Sequence, residues 1–255
     1  MKQTPFINSD YWDTRATTFS DHAEHTGYAE KFLGLMPIES GWSVLDMACG
    51  GGTLAIPLAQ KVRSITAVDF SRNMLEILGK RCLEKGINNI RRIVGRWEED
   101  WDTLGIGMHD VAIASRSLPC DTAMESIIKL DAIARKRVYL SVAIGDGPRD
   151  RRLYRALGRT FPTEPDYIYY LNLLYRMDIH ANLALIHEYH PNQWDTFTDA
   201  VDAQRWMFRN LTDREEDRIK DYLLENLVCE GERWRLPYDR SCQWAVMWWE
   251  KQPRN

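Results

Sequence analysis

Residues 43–53 read SVLDMACGGGT, and this stretch decides the fold of the chain. Apolar Val44 and Leu45 lead into Asp46, and the glycines at 50–52 open an apolar segment. This pattern is typical of a buried strand, a glycine-rich turn and the start of a helix. Glycine adopts positive φ at little cost and lets a ligand lie against the backbone. We therefore expect a ligand at this turn.

A second strand follows about twenty residues later, where residues 65–70 read ITAVDF. Its carboxyl end delivers Asp69, and an acidic side chain in that place can accept hydrogen bonds from both hydroxyls of a ribose. The two stretches together predict a site for a nucleoside-containing cofactor.

Strands and helices alternate through the first part of the chain, which predicts a doubly wound parallel sheet with helices on both faces. Two helices are expected before the first strand, within residues 9–36. A helix over 122–135 would end in the basic residues 135–137, which suit the negative end of its dipole. The predicted strands are residues 43–48, 64–69, 90–94, 110–115 and 138–144.

The pattern changes after Pro148. Residues 150–178 are helical in pattern and rich in aromatic side chains, and a helical stretch over 192–227 follows a strand at about 183–189. The last strand is expected at 244–250. We interpret 149–180 and 191–240 as inserts beside the carboxyl edge of the sheet, where open α/β sheets bind ligands, and expect them to form a substrate cap.

Composition narrows the function classes. The 255 residues are 44% hydrophobic and carry a net charge of −4, which suits one large domain without an electrostatic footprint for nucleic acid. Five cysteines without CxxC or Cys/His pairing favour reduced thiols in the cytoplasm and no metal site. No signal peptide or membrane-spanning run is visible. The composition is compatible with either a monomer or a homodimer.

The runs VLDMACGGGTLAIPLA (residues 44–59) and AVDFSRNMLE (residues 67–76) resemble the first two motifs of class I S-adenosylmethionine-dependent methyltransferases. The similarity covers roughly residues 10–145. It implies a single domain over 1–255 with a Rossmann-like, seven-stranded sheet, mostly parallel with an antiparallel last strand. Residues 1–40 would supply N-terminal helices that can close over the cofactor.

The resemblance also implies roles for individual residues. Asp46 would hold the amino group of S-adenosylmethionine, and Asp69 would take the ribose hydroxyls. Ala48 stands where the family often has glycine. The remaining cofactor-binding residues that the resemblance implies at these motifs are Gly50, Gly52, Phe70 beside the adenine, and Met74.

A departure from the family follows the third strand, at Gly95-Arg96-Trp97-Glu98. The family commonly has an aspartate after that glycine, which bonds the adenine amino group, whereas a guanidinium only donates hydrogen bonds. Adenine could instead lie on Trp97, or Glu98 could supply the acceptor. Further cofactor-site candidates are Ser115 and Arg116 at the end of the fourth strand, with Tyr11 and Arg15 in the N-terminal region.

The acceptor is less visible in the sequence than the cofactor. A sulfonium is already an activated methyl donor, so the protein need mostly align a nucleophile and exclude water. Candidates for a catalytic group are His187, His190 and Tyr170. Histidine titrates near operating pH and can act as a base. The Asn-Pro-Pro-Tyr motif of amino-group methylation is absent, and we expect a small-molecule O, N or C acceptor.

Two other interpretations fit parts of the pattern. Gly50, Gly52 and Ala55 satisfy the dinucleotide fingerprint with Asp69 at the right distance, which would indicate an NAD-dependent oxidoreductase. Asp46 before the glycines is instead typical of methyltransferases. A binding module that keeps the cofactor but has lost transfer would explain Arg96, although such a module needs no substrate cap.

Overall fold

A computed structural model describes residues 27–119, 121–208 and 210–251. The first predicted helix, with Tyr11 and Arg15, lies outside the described residues. The chain divides into two compact units. Of the described residues, the first unit holds those up to Ala143, Pro165–Ile186 and those from Trp244, and the second holds Ile144–Glu164 and His187–Gln243.

A seven-stranded sheet, mostly parallel with one antiparallel strand, organises the first unit, as predicted. Its strand order is β3-β2-β1-β4-β5-β10-β6. Strands β6 and β10 continue past the boundaries of that unit. The strands are β1 (Ser43–Met47), β2 (Ser64–Asp69), β3 (Ile90–Val94), β4 (His109–Ser115), β5 (Ala134–Ile144), β6 (Asn182–His190) and β10 (Arg240–Glu250).

Strand β1 lies at the centre of the parallel part, with β2 on one side and β4 on the other. Asp46 is in register with Ala67 of β2 and with Ile113 of β4. Because all three strands run in the same direction, their carboxyl ends meet at one edge of the sheet. All five residues of β1 are buried, as the apolar run before Asp46 predicts.

Helices connect the strands of the first unit. The Ser71 hydroxyl accepts a hydrogen bond from the Met74 N–H at 3.1 Å and so caps the helix that follows. Gly86 ends the same helix at φ 65°. The helices are α1 (Tyr28–Gly34), α2 (Ala55–Ala59), α3 (Arg72–Glu84), α4 (Ala123–Ile133) and α6 (Tyr167–Arg176).

The basic residues 135–137 correct one prediction. They belong to β5 and not to the end of a helix, because α4 already ends at Ile133 and Ala134 is extended. Ala134 pairs with His109 of β4. The ladder hydrogen bonds of β5 thus begin four residues before the predicted start at Val138 and override the helix-end preference of a basic triplet.

The second unit contains the helices α5 (Arg151–Leu157), α7 (Phe197–Arg205) and α8 (Asp213–Asn226). It also contains a three-stranded sheet of order β7-β9-β8, formed by Gln193–Trp194, Arg233–Arg235 and Val228–Glu230. The prediction of helix throughout 192–227 is therefore wrong at β7. A buried apolar cluster, including Leu153, Phe208 and Leu223, forms the core of this unit.

None of the helices in the described part of the chain has the length and apolar character needed to cross a bilayer.

Candidate functional site

The turn after β1 has an unusual backbone. Ala48, Gly50 and Gly52 all have positive φ, at 58°, 54° and 89°. An L-residue with a side chain pays roughly 1–2 kcal/mol for this conformation, so Ala48 is strained. The Cys49 N–H donates to the Val68 carbonyl at 3.0 Å and fastens the turn to β2.

The two glycines with positive φ have different surroundings. A Cβ on Gly52 would lie 2.5 Å from Leu78 Cδ1, so close packing against α3 already requires glycine there. A Cβ on Gly50 would meet only the Met74 sulfur, at 4.0 Å. Protein packing therefore does not explain Gly50, and open space beside it is where a ligand can approach the backbone.

The Asp69 carboxylate is 5% exposed and lies at the carboxyl end of β2. Its Oδ2 accepts a hydrogen bond from the Gly50 N–H at 2.8 Å, and its Oδ1 accepts one from the Ser71 N–H at 2.9 Å. These bonds fix the orientation of the carboxylate and join the glycine turn to the start of α3. The structure thus places Asp69 beside Gly50, and the roles of both residues toward the cofactor stay predictions.

Asp46 is the second carboxylate at this edge and is 2% exposed. Among the described residues, none donates a hydrogen bond to its buried Oδ2. Burial and the neighbouring Asp69 charge raise the pKa of Asp46 from 3.8 to about 7, while the Arg116 guanidinium acts to lower it. A buried carboxyl oxygen without a partner is costly, and a cationic ligand group would relieve that cost.

Two neighbours of the turn have structural rather than chemical roles. Buried Arg81 of α3 donates a hydrogen bond from Nη1 to the Gly51 carbonyl at 3.0 Å and so ties the turn to α3. No sequence pattern predicts this contact, because Arg81 lies in an ordinary helix. Burial and the charge of Asp69 raise the pKa of the Cys49 thiol, which therefore stays protonated and unreactive.

The residues after β3 form the side of the site predicted for adenine. The Arg96 guanidinium lies over the Phe70 ring, 5.1 Å from its centroid. Trp97 is buried and packs against Trp101, whereas Glu98 is exposed. The structure thus brings Arg96 to Phe70, and the roles of Trp97 and Glu98 toward adenine stay predictions.

A cluster of hydroxyls lies at the carboxyl end of β4. The Tyr28 hydroxyl is 2.7 Å from Ser115 Oγ and 2.6 Å from Ser141 Oγ, and Tyr28 and Ser141 are fully buried. The Arg116 N–H donates to both the carbonyl and the Oγ of Ser141, at 2.9 and 3.0 Å. Ser115 is therefore engaged within the protein.

Arg116 itself has positive φ, at 60°, although it has a full side chain. Its guanidinium carbon lies 4.2 Å from the Tyr28 ring centroid and 5.4 Å from that of Trp244. The sequence predicts Arg116 as a site candidate but not its two ring partners. Tyr28 and Trp244 are far from it along the chain, and nothing local in either stretch indicates the contact.

The three catalytic candidates lie on α6 and on β6. Tyr170 is 2% exposed on α6 and packs against Tyr169, with ring centroids 5.2 Å apart. His187 and His190 belong to the second unit, at the end of β6. Catalytic roles for all three stay predictions, as do the cofactor roles of Tyr11 and Arg15.

Comparisons with known proteins bear on the kind of domain and on the fold. A family model described as "Methyltransferase domain" matches residues 44–129. A Haemophilus influenzae protein of unassigned activity is 30% identical over 241 residues, which cover 93% of this chain and 88% of that protein. A Bacillus halodurans protein solved as a candidate methyltransferase has the same fold, with a TM-score of 0.61 at 15% identity, over 88% of this chain and 98% of that one.

The chain belongs to the class I S-adenosylmethionine-dependent methyltransferases. The demethylmenaquinone methyltransferase of Listeria monocytogenes is similar over a shorter stretch, 29% identical over 98 residues. That stretch is 34% of this chain and spans 41% of the Listeria enzyme.

Proposed function

We propose that this protein binds S-adenosylmethionine at the carboxyl edge of β1 and β2 and transfers its methyl group to a small-molecule acceptor. The observation that supports this most strongly is the buried Asp46 oxygen without a partner beside the open face of Gly50. A cationic ammonium placed against Asp46 would satisfy that oxygen and stabilise the ionised carboxylate.

The other parts of the cofactor fit the remaining residues of this edge. Asp69 is held by two backbone N–H groups, and a fixed carboxylate is suited to bidentate recognition of ribose hydroxyls. Phe70 and Arg96 form a ring and guanidinium pair next to it. Arg96 stands where the family commonly has an aspartate that bonds adenine. Adenine would instead stack on the Arg96 guanidinium, since arginine stacks readily on aromatic faces.

The bound cofactor supplies an activated methyl group on a sulfonium. This chain's residues then have three tasks: to orient the cofactor through Asp46 and Asp69, to hold the acceptor, and to keep water out. No obligatory acid or base follows from such chemistry, which explains why the candidates Tyr170, His187 and His190 have no shared signature in the sequence.

A small acceptor is favoured over a nucleic acid. The net charge of −4 does not favour binding to a polyanion. The similarity to an enzyme named demethylmenaquinone methyltransferase also supports a small acceptor, although it covers only 34% of this chain. We retain the inserts as the proposed substrate cap.

The test is calorimetric titration of S-adenosylhomocysteine into the wild-type protein and Asp69→Asn. The variant keeps the shape of the side chain but loses its charge, so the dissociation constant should rise at least about tenfold. Unchanged affinity would remove Asp69 from the cofactor site.

Asp110→Asn is the matched control. Asp110 at the start of β4 also accepts a backbone N–H, that of Ser43 at 2.8 Å, but it lies at the opposite, amino end of the sheet. Its loss should lower stability and leave cofactor affinity unchanged. Weakened binding in both variants to the same degree would indicate general damage and would contradict the assignment.

A further inference from the structure

Arg116 combines features that its position in the fold does not require. It follows the last residue of β4 and has a φ of 60°. Residues with side chains rarely adopt this conformation, and where they do, the surrounding structure must hold them in it. Here the double hydrogen bond from the Arg116 N–H to Ser141 supplies that restraint. Such an outlier at a ligand edge indicates function.

Two aromatic rings hold the guanidinium, which also attracts the Asp46 carboxylate without forming an ion pair with it. The Tyr28 and Trp244 rings lie 4.2 and 5.4 Å from it, and both rings are buried. In the described part of the chain, no carboxylate forms an ion pair with Arg116, and no group accepts a hydrogen bond from its side chain. The rings fix its position while its N–H donors stay available.

Arg116 is close enough to Asp46 to lower its pKa, but other elements of the fold hold it in place. Asp46 and Asp69 lie at the carboxyl ends of β1 and β2, within one residue of the last position, whereas the groups that hold Arg116 come from α1, β5 and β10. The sheet order places β5 and β10 beyond β4, away from β2. Arg116 is therefore at the acceptor side of the proposed transfer site, and it is partly exposed there.

We propose that the Arg116 guanidinium binds an anionic group, a carboxylate or a phosphate, on the methyl acceptor. The planar fork of N–H donors matches both groups bidentately. A bound anion would also neutralise positive charge next to the sulfonium. This inference rests on the proposed function, since it takes the cofactor to lie at β1 and β2.

The experiment uses two pairs of flat probes that differ in charge: benzoate with benzamide, and phenyl phosphate with phenol. Each is titrated into the protein saturated with S-adenosylhomocysteine. In the wild type, the anionic member of at least one pair should bind about tenfold more tightly or better than its neutral partner. In Arg116→Met this preference should fall below about twofold, and Arg116→Lys should keep part of it.

The matched control is Arg137→Met. The Arg137 guanidinium also lies over an indole, that of Trp42 at 5.7 Å, but near the amino end of β5. This variant should keep the full preference for anions. It also loses an ion pair with exposed Glu250, so it reports any effect of removing a surface charge.

Three results would overturn the proposal. They are equal binding of charged and neutral probes in both pairs, a preference that persists in Arg116→Met, and a loss of S-adenosylhomocysteine affinity in that variant. The last would assign Arg116 to the carboxylate of the cofactor. If the wild type fails to bind S-adenosylhomocysteine, the proposed function fails, whereas the probe pairs still measure anion recognition in the protein alone.

Discussion

The protonation of Asp46 should make cofactor binding depend on pH. With a pKa of about 7 in the free protein, roughly one tenth of the Asp46 side chains are ionised at pH 6 and nine tenths at pH 8. A ligand ammonium needs the ionised form. The dissociation constant of S-adenosylhomocysteine should therefore be about tenfold higher at pH 6 than at pH 8, which is about 1.4 kcal/mol.

The sign of the linked stability change is opposite in the free protein. Folding raises the pKa of Asp46 from 3.8 to about 7. The protonated group therefore contributes its full stabilisation of the folded state below pH 3.8, and this contribution is lost as the pH rises through about 7. The free energy of unfolding should fall between these limits, by up to about 4 kcal/mol at 1.36 kcal/mol per pKa unit. Urea titrations of wild type and Asp46→Asn would measure the difference.

Calorimetry in buffers of different ionisation enthalpy provides the assay. Binding at pH 6 should release close to one proton per ligand, and Asp46→Asn should release none by this route. The variant also corrects for titration of the ligand or of other groups. Affinity that does not change between pH 6 and pH 8 in the wild type would refute the reasoning.

The remaining predictions concern the turn and the second unit. Ala48→Gly should raise the free energy of unfolding by roughly 1 kcal/mol, because glycine adopts positive φ without strain; a loss in urea denaturation would contradict this. Gly52→Ala should destabilise by about 1–3 kcal/mol through its contact with Leu78, whereas Gly50→Ala should weaken S-adenosylhomocysteine binding more than it lowers stability, and equal effects of the two would count against the assignment. Tyr154→Phe should cost about 1 kcal/mol in denaturation, since it removes a buried 2.7 Å hydrogen bond to a backbone carbonyl; no measurable cost would show the bond to be neutral.

The central strands and the glycine turn were predictable because their determinants are local. The run before Asp46 fixes β1, the glycines fix the turn, and Ser71 caps the next helix through a neighbour three residues away. Each of these signals depends on residue type and short spacing. The edge that holds Asp46 and Asp69 then follows from parallel strand direction.

Other features depend on contacts between distant residues. The hydroxyl bond of Tyr28 with Ser141 joins positions 113 residues apart, and no short pattern marks either member. The basic start of β5 was not predicted for the same reason: it depends on a contact with a distant residue. Its pairing with β4 outweighs the helical preference of the preceding segment. Strands β7 to β9, of two or three residues each, are too short to show an alternating pattern.

The measurement that tests the central claim most directly is a thermal-shift series with S-adenosylmethionine, S-adenosylhomocysteine and NADH at matched concentrations. A ligand that binds only the folded state stabilises it by about 2.7 kcal/mol at a hundred times its dissociation constant. We predict an upward shift with both S-adenosyl compounds and none with NADH. A shift with NADH alone, or none with any of the three, would contradict the assignment of this site.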